Sequence, residues 1–392
     1  MLMENKRVYF DNSATTYVCN EALREMLPVF NSNYGNANSI HSFGREAVKL
    51  VDEARDKIAS AIGAESSEIY FTSGGTEANN WAIKGLAHAN RHKGNHIITS
   101  SIEHHSVLDA CKQLEKEGFK VTYLRVDSTG LVSLADLYHA ITKDTILISV
   151  MTANNEVGTI QHINAIAQTA KENGILFHTD AVQALGTVSF HLKDMNIDAM
   201  SISSHKIYGP KGVGALYLKN GTRINALISG GSQEKGLRGG THNVPAIVGF
   251  GKAVEVAMRD SSINNKKVKS LRDYFVSQLV AKIPDVYING HLHQRLPGLC
   301  SVTFDCVEGE AVLMMLDMHG IAVSTGSACT SGIPEPSHVL KAMGVEDSVA
   351  KGTIRFSFGK SNTKEEIDYC IEHLVKIIEK LRNISPIKRR KR

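Results

Sequence analysis

From about residue 67 to residue 220, short apolar runs alternate with amphipathic stretches, and this alternation leaves few folds open to the chain. The runs are Glu68–Thr72, His96–Ser100, Lys120–Arg125, Thr145–Met151, Ile175–Thr179, Ala199–Ser203 and Gly214–Leu218. Between them lie Glu77–Asn90, Ser106–Glu117, Leu134–Ile141 and Ile163–Asn173, each with the spacing of a helix that buries one face. Strands separated by helices of this length predict a mostly parallel sheet with right-handed crossovers. A Gly-rich stretch, SGGSQEKGLRGGTHN at 229–243, precedes a long helical region from about Pro245 to Ile283. The last third changes character, with strands at Gly298–Phe304 and Gly352–Phe358 and helices at Gly309–His319 and Lys364–Arg382. In the final helix Ile367, Ile371, Leu374, Ile378 and Leu381 recur at spacings of four and three, the stripe of a helix packed on a sheet. The expected fold class is α/β: a large domain with a mostly parallel seven-stranded sheet, joined to a smaller α+β domain. The large domain is expected over 16–260 and the small one over 1–15 and 261–383, with 384–392 a basic tail outside both.

The chain of 392 residues has no apolar run long enough to span a membrane, and its 21% charged content is ordinary for a globular protein. Its net charge of +4 is misleading, because the last five residues, Lys388 to Arg392, contribute +5 and leave the body at −1. A nucleic-acid binder carries its basic face on the folded body, so nucleic acid is not an expected partner. The six cysteines (Cys19, Cys111, Cys300, Cys306, Cys329, Cys370) form no C-x-x-C pair, which fits neither a zinc framework nor a disulfide scaffold. A reducing compartment, the cytoplasm, is expected.

Ligands of open α/β sheets bind beyond the carboxyl ends of the strands, so polar residues at those ends are the place to look. After the first strand, TSGGTEANN at 72–80 offers a tight turn at Gly74 and Gly75 and a helix start at Thr76. The segment reads equally as an anion site on free N–H groups or as a plain capped joint. His104 and His105 follow the second strand; adjacent histidines on one short loop chelate a single ion poorly, and an aromatic ring there could instead stack on a planar ligand. Asp180 directly follows an apolar strand, with Gln183 one turn on, and a buried carboxylate there needs a partner. Twenty-six residues further, SISSHKIYGPKG at 201–212 ends a strand with Ser203, Ser204, His205 and Lys206, where a Schiff-base lysine is plausible. In GTIRFSFG at 352–359 the alternation places Arg355 on the polar face of a strand, where its planar fork suits a carboxylate. Cys329, in STGSACTSG at 324–332, is flanked by small polar residues rather than by the apolar neighbours of a core cysteine.

Taken in order, DNSATT (11–16), SGGTEANN (73–80), EHH (103–105), NNEVGT (154–159), HTDAVQ (178–183), SSHKIYGPKG (203–212), RGGTHN (238–243) and STGSACTSG (324–332) resemble the NifS/IscS cysteine desulfurases. These belong to the class V aminotransferase family of fold type I pyridoxal-phosphate (PLP) enzymes. The resemblance spans nearly the whole chain. Ser204 stands where that family more often has Gly or Ala, and Gly75 where Ala or Cys is frequent. The cysteine loop follows the NifS/IscS pattern and not the Arg-x-Gly-His-His-Cys of the SufS-like branch.

The resemblance implies that Lys206 carries PLP covalently and that Asp180 holds the pyridine nitrogen protonated. It implies that His104 stacks on the ring and Gln183 bonds the phenolic oxygen. Gly75, Thr76, Ser203 and His205 would hold the phosphate, joined by Thr241 from the other subunit of a homodimer. Asn155 and Arg355 would take the substrate carboxylate, and Cys329 would be the nucleophile. The implied reaction converts L-cysteine to L-alanine, leaving a persulfide on Cys329 whose sulfur passes to an iron–sulfur scaffold protein. No metal is expected. An aminotransferase on the same fold would keep Lys206 and Asp180 but have no use for a loop cysteine.

Overall fold

The computed structural model describes residues 6–325 and 336–385, so Cys329 and residues 386–392 of the basic tail lie outside the described residues. In chain order the strands are β1 (Val8–Tyr9), β2 (Ile69–Thr72), β3 (His96–Ser100), β4 (Lys120–Leu124), β5 (Thr145–Ser149) and β6 (Leu176–Asp180). They continue as β7 (Ala199–Ser203), β8 (Gly214–Leu218), β9 (Val286–Asn289), β10 (Leu299–Phe304), β11 (Ile321–Ala322) and β12 (Thr353–Ser357).

Seven strands form one sheet in the order β2-β8-β7-β6-β5-β3-β4. Five of them, from β7 to β4, run parallel, and β8 is antiparallel to both of its neighbours. The central strands read as near-continuous apolar runs because helices cover both faces of the sheet. Successive side chains serve different cores: Ile98 and Ile148 pack with one buried cluster, Ile97 and Leu147 with the other. The run expected to extend to Met151 stops at Ser149, because the Met151 N–H turns out of the sheet to Glu103 Oε1 at 2.9 Å. Two N-terminal helices that no expectation covered, Asn20–Asn31 and Ser42–Ile62, pack against the helix Val244–Lys282.

A second, antiparallel sheet has the order β12-β10-β9. Ile354, Phe356 and Phe358 from its β12 side meet Ile367, Ile371, Leu374 and Ile378 of the helix Lys364–Ile384 in a separate core, with Leu381 at its margin. The helix Val244–Lys282 serves both cores: Ile247, Phe250 and Val254 pack in the first, Leu271, Phe275 and Leu279 in the second. Pro245 stands at its start, where the missing N–H leaves nothing unpaired, and the Asn243 side chain caps Ala246 N at 3.3 Å. The parallel pair β1–β11 and the bridges Asp11–Ser357 and Ser324–Arg355 bring the N-terminal segment and the start of the cysteine loop beside β12.

Candidate active site

The carboxyl ends of β2, β3, β5, β6 and β7 open onto one cavity of about 360 Å³, within the usual size of a small-molecule site. Gly75, Thr76, His104, Asn155, Asp180, Gln183, Ser203, His205, Lys206 and Arg355 all line it. Ser13, Ala14, Asn79, Ser106 and Met151, to which sequence reasoning gave no role, line it as well. Thr241 does not; it is exposed, on the loop before the helix Val244–Lys282.

Asp180 is the last residue of β6 and is buried. Its Oδ2 accepts from Asn79 Nδ2 at 2.7 Å and its Oδ1 from the Val182 N–H at 2.9 Å. Asn79 Nδ2 also reaches Ser106 Oγ at 2.8 Å, and Ser106 Oγ lies 2.8 Å from His104 Nδ1. A chain of polar contacts thus joins Asp180 to the His104 ring and fixes the orientation of both. Beneath Asp180, His178 is bonded on both sides, to Ser149 Oγ at 2.8 Å and Ser201 Oγ at 3.0 Å, and burial pushes it down to about 3. It is a neutral cross-brace between strands.

Lys206 ends the short turn Ser204–Lys206 that follows β7. Its Nζ donates to the carbonyls of Ser13 and Ala14 at 2.5 and 2.8 Å. Burial, aided by Arg355, brings its amine down to about 8. Gln183 Nε2 donates to the same Ser13 carbonyl at 2.9 Å. Tyr208, two residues on, sits in the left-handed region at φ 66°, held by Thr16 Oγ1 to its N–H at 2.9 Å. His205 contacts Thr15 Oγ1 at 3.1 Å, and burial followed by the nearby lysines pushes it down to about 4. The segment 11–16 therefore seats the lysine turn, which its sequence alone did not disclose.

Arg355 Nη1 donates to the Asn155 carbonyl at 2.9 Å and Nη2 to Asp11 Oδ1 at 2.9 Å. Its buried Nε has no partner. Near the cavity floor, burial raises Glu103 to about 8, against hydrogen bonds from Ser100 Oγ at 2.5 Å and Met151 N at 2.9 Å. Glu156, next to Asn155, is raised to about 7 by burial although Ser337 Oγ donates to it.

The donor set fits pyridoxal phosphate. At one side the helix Gly75–Asn80 begins with Gly75, Thr76 and Glu77 N–H groups that have no intrahelical acceptor, a ready site for a phosphate. Gly75 lets this turn pack closely on Val182, since a Cβ on it would stand 2.6 Å from Val182 Cγ2. A buried carboxylate without a cationic hydrogen-bond partner, Asp180, would suit a protonated ring nitrogen, and a lysine amine of lowered basicity stands in the same cavity. Buried Asn79 Oδ1 is likewise without a partner. Among the described residues no group of three or more His, Cys, Asp or Glu side chains is placed to hold a metal ion.

A seven-stranded, mostly parallel sheet with this lysine, carboxylate and anion turn at its carboxyl edge defines a PLP-dependent enzyme of fold type I. Comparison with known proteins agrees. The family model for class-V aminotransferases matches residues 8–370. A cysteine desulfurase IscS of Clostridium botulinum is 54% identical over 385 residues, covering 98% of this chain and 97% of the relative. One from Methanosarcina thermophila is 53% identical over 384 residues, covering 98% and 95%. A solved NifS-like protein superposes with a TM-score of 0.90 at 42% identity, covering 95% of this chain and all of that one. The chain belongs to the class-V aminotransferase family and, within it, to the cysteine desulfurases of the NifS/IscS type.

Proposed function

We propose that this protein takes the sulfur atom from L-cysteine, releases L-alanine and carries the sulfur as a persulfide on Cys329. The observation that bears most weight is the meeting of Lys206, Asp180 and Arg355 in one cavity, from segments far apart in the chain. When bound, PLP supplies an electron sink for the negative charge left as a bond at the substrate Cα breaks. Lys206 holds it covalently, Asp180 pairs with its ring nitrogen, His104 covers the ring and Gln183 bonds the phenolic oxygen. Gly75, Thr76, Ser203 and His205 hold the phosphate. Arg355 and Asn155, which both line the cavity, take the substrate carboxylate, the guanidinium through charge-assisted hydrogen bonds. Once the substrate amine has displaced it, the Lys206 amine would be free to accept and return a proton at the substrate Cα. The Cys329 thiolate attacks the substrate sulfur: the S–S bond forms as the C–S bond breaks, and the electron pair left on carbon takes a proton to give alanine. The five cysteines among the described residues are all buried, and burial pushes Cys300 up to about 11 and Cys370 higher still, so neither offers a thiolate at neutral pH.

The working form is a homodimer, with Thr241 reaching the phosphate of the other subunit. Exposed apolar side chains crowd the N-terminal helical region: Leu27, Phe30, Tyr34, Ile40 and Phe43, with Ile40 91% exposed. A patch of this kind calls for a cover, and a second copy supplies one. The chain divides into a large unit over 16–260 and a small one over 1–15 and 261–383, the junction falling inside the helix Val244–Lys282. We place the protein in the cytoplasm, with an iron–sulfur scaffold protein as sulfur acceptor and neither nucleic acid nor membrane as a partner. Among the described residues no helix is long and apolar enough to cross a membrane. The decisive assay measures alanine and sulfide released from cysteine under reducing conditions, with and without PLP. Stoichiometric PLP-dependent release supports the reading; alanine formed only with an added keto-acid or amino donor would make the protein an aminotransferase instead.

A further inference from the structure

Thr241 stands at an exposed tip between two anchors: one ends on Glu77 beside the subunit's own phosphate turn, the other on Glu234, which holds the strand that leads into that turn. Three residues before it, Arg238 Nε and Nη2 donate to Glu77 Oε1 and Oε2 at 2.8 and 3.1 Å. One residue after it, His242 Nε2 lies 2.7 Å from Glu234 Oε1. Glu234 also takes Arg55 Nη1 and Nη2, both at 2.8 Å, and the Phe71 N–H of β2 at 2.9 Å. Glu77 lies in the first turn of the helix Gly75–Asn80, and its Oε2 accepts the Ser73 N–H at 2.7 Å. The turn 73–76 is therefore gripped from the strand before it and from the helix after it by the two sides of one loop. The loop itself is stiff. Its two limbs touch so closely that a Cβ on Gly239 would stand 2.6 Å from Gly230 Cα, and Glu234 and Lys235 sit in the left-handed region at φ 45° and 59°. Burial opposes the charge on Glu77, yet the bonds from Arg238 and Ser73 outweigh it and hold the carboxyl below its usual range. His242 Nδ1 is buried with no partner in the single chain.

We propose that the Glu77–Arg238 pair is a positioning tie that couples the two phosphate sites of the dimer, so that the turn holding one phosphate and the loop completing the other move as one body. This rests on the reading that Thr241 acts across the interface. A planar, two-pronged bond transmits orientation as well as distance, which a lysine could not do. Glu234, Arg55 and His242 still fold the loop when Arg238 is replaced, so the tie can be cut without losing the loop.

The test measures PLP affinity of the apo dimer by absorbance titration, with borohydride trapping at Lys206, for wild type, Arg238→Met and Arg238→Lys. Both variants are expected to bind PLP about tenfold more weakly, since each loses a charge-assisted hydrogen bond or two. Mixed dimers then separate the routes. One subunit carries Lys206→Ala, so only the other traps the cofactor, and Arg238→Met is placed in either subunit. The tie predicts weakened trapping in both arrangements. Normal affinity when Arg238→Met lies only in the Lys206→Ala subunit would overturn the coupling and leave Arg238 a local brace. Sedimentation of the wild-type protein is run alongside: an active PLP-loaded monomer would overturn the interface reading and the coupling with it, whereas a dimer with unchanged variant affinities would overturn the coupling alone.

Discussion

In the protein without cofactor, Lys206 should behave as an amine of pKa about 8, and this can be measured directly. Its Nζ is held by two backbone carbonyls, which favour the charged form. Burial and the Arg355 guanidinium nonetheless win, and the depression from 10.5 to about 8 corresponds to about 3 kcal/mol against the ammonium. At pH 7 about a tenth of the side chain is neutral, against a few parts in ten thousand for an ordinary lysine. Only the neutral amine attacks an electrophile. Competitive labelling of the apoenzyme with acetic anhydride, read by mass spectrometry, should therefore show Lys206 reactivity levelling off above pH 8 while surface lysines continue to climb. Arg355→Gln removes one of the depressing charges and should move the midpoint upward. The sign for stability follows the same shift: between about 8 and 10.5 the unfolded chain holds the extra proton, so this lysine adds stability as pH rises through that window and withdraws it below. A Lys206 whose labelling still rises tenfold per pH unit up to pH 10 would refute the argument.

Buried Glu103 and Glu156, raised to about 8 and 7, act in the opposite direction. Both are neutral when folded and charged when unfolded from about pH 4.5 upward, so their contribution is full below that and is lost as pH rises through 7 to 8. Glu103→Gln should flatten the fall in apoenzyme melting temperature between pH 5 and pH 8; an unchanged slope would show Glu103 already ionised. Arg355→Lys should raise KM for cysteine at least about tenfold with a smaller change in kcat, as expected when a forked carboxylate contact is lost. Asp180→Asn should keep PLP but slow turnover about a hundredfold or more, because an amide cannot hold the ring proton through a charged bond; near-normal turnover would remove Asp180 from the mechanism. Cys329→Ala should still show a spectral shift with cysteine yet release no alanine and carry no persulfide by mass spectrometry, and persulfide on Cys300, Cys306 or Cys370 with turnover intact would reassign the nucleophile.

What the sequence disclosed follows from which interactions are local. β3, β7 and β8 lie within the bounds that their apolar runs predicted, since a strand buried on both faces announces itself in five residues. The helix Ser42–Ile62 carried legible caps, His41 before it and Gly63 after it at φ 64°, but stood upstream of the alternation that framed the reading. Asn20–Asn31 was obscured by Pro28 within it, and β9 and β11 are too short for any period. Asp180, Lys206 and Arg355 could be singled out because each is a charge at an apolar strand, a conflict visible locally.

Their supports could not be found that way. Asn79 in a helix and Asp11 in an N-terminal turn are ordinary surface types until the fold sets them against Asp180 and Arg355, partners 101 and 344 residues away. The same holds for Arg238, whose partner Glu77 is 161 residues distant. A chemical group must have its own character, so it leaves a mark on the residues around it; an orienting contact needs only two complementary side chains brought together by the fold. Reactive residues were therefore legible one by one, while the contacts that aim them became legible only as pairs in three dimensions.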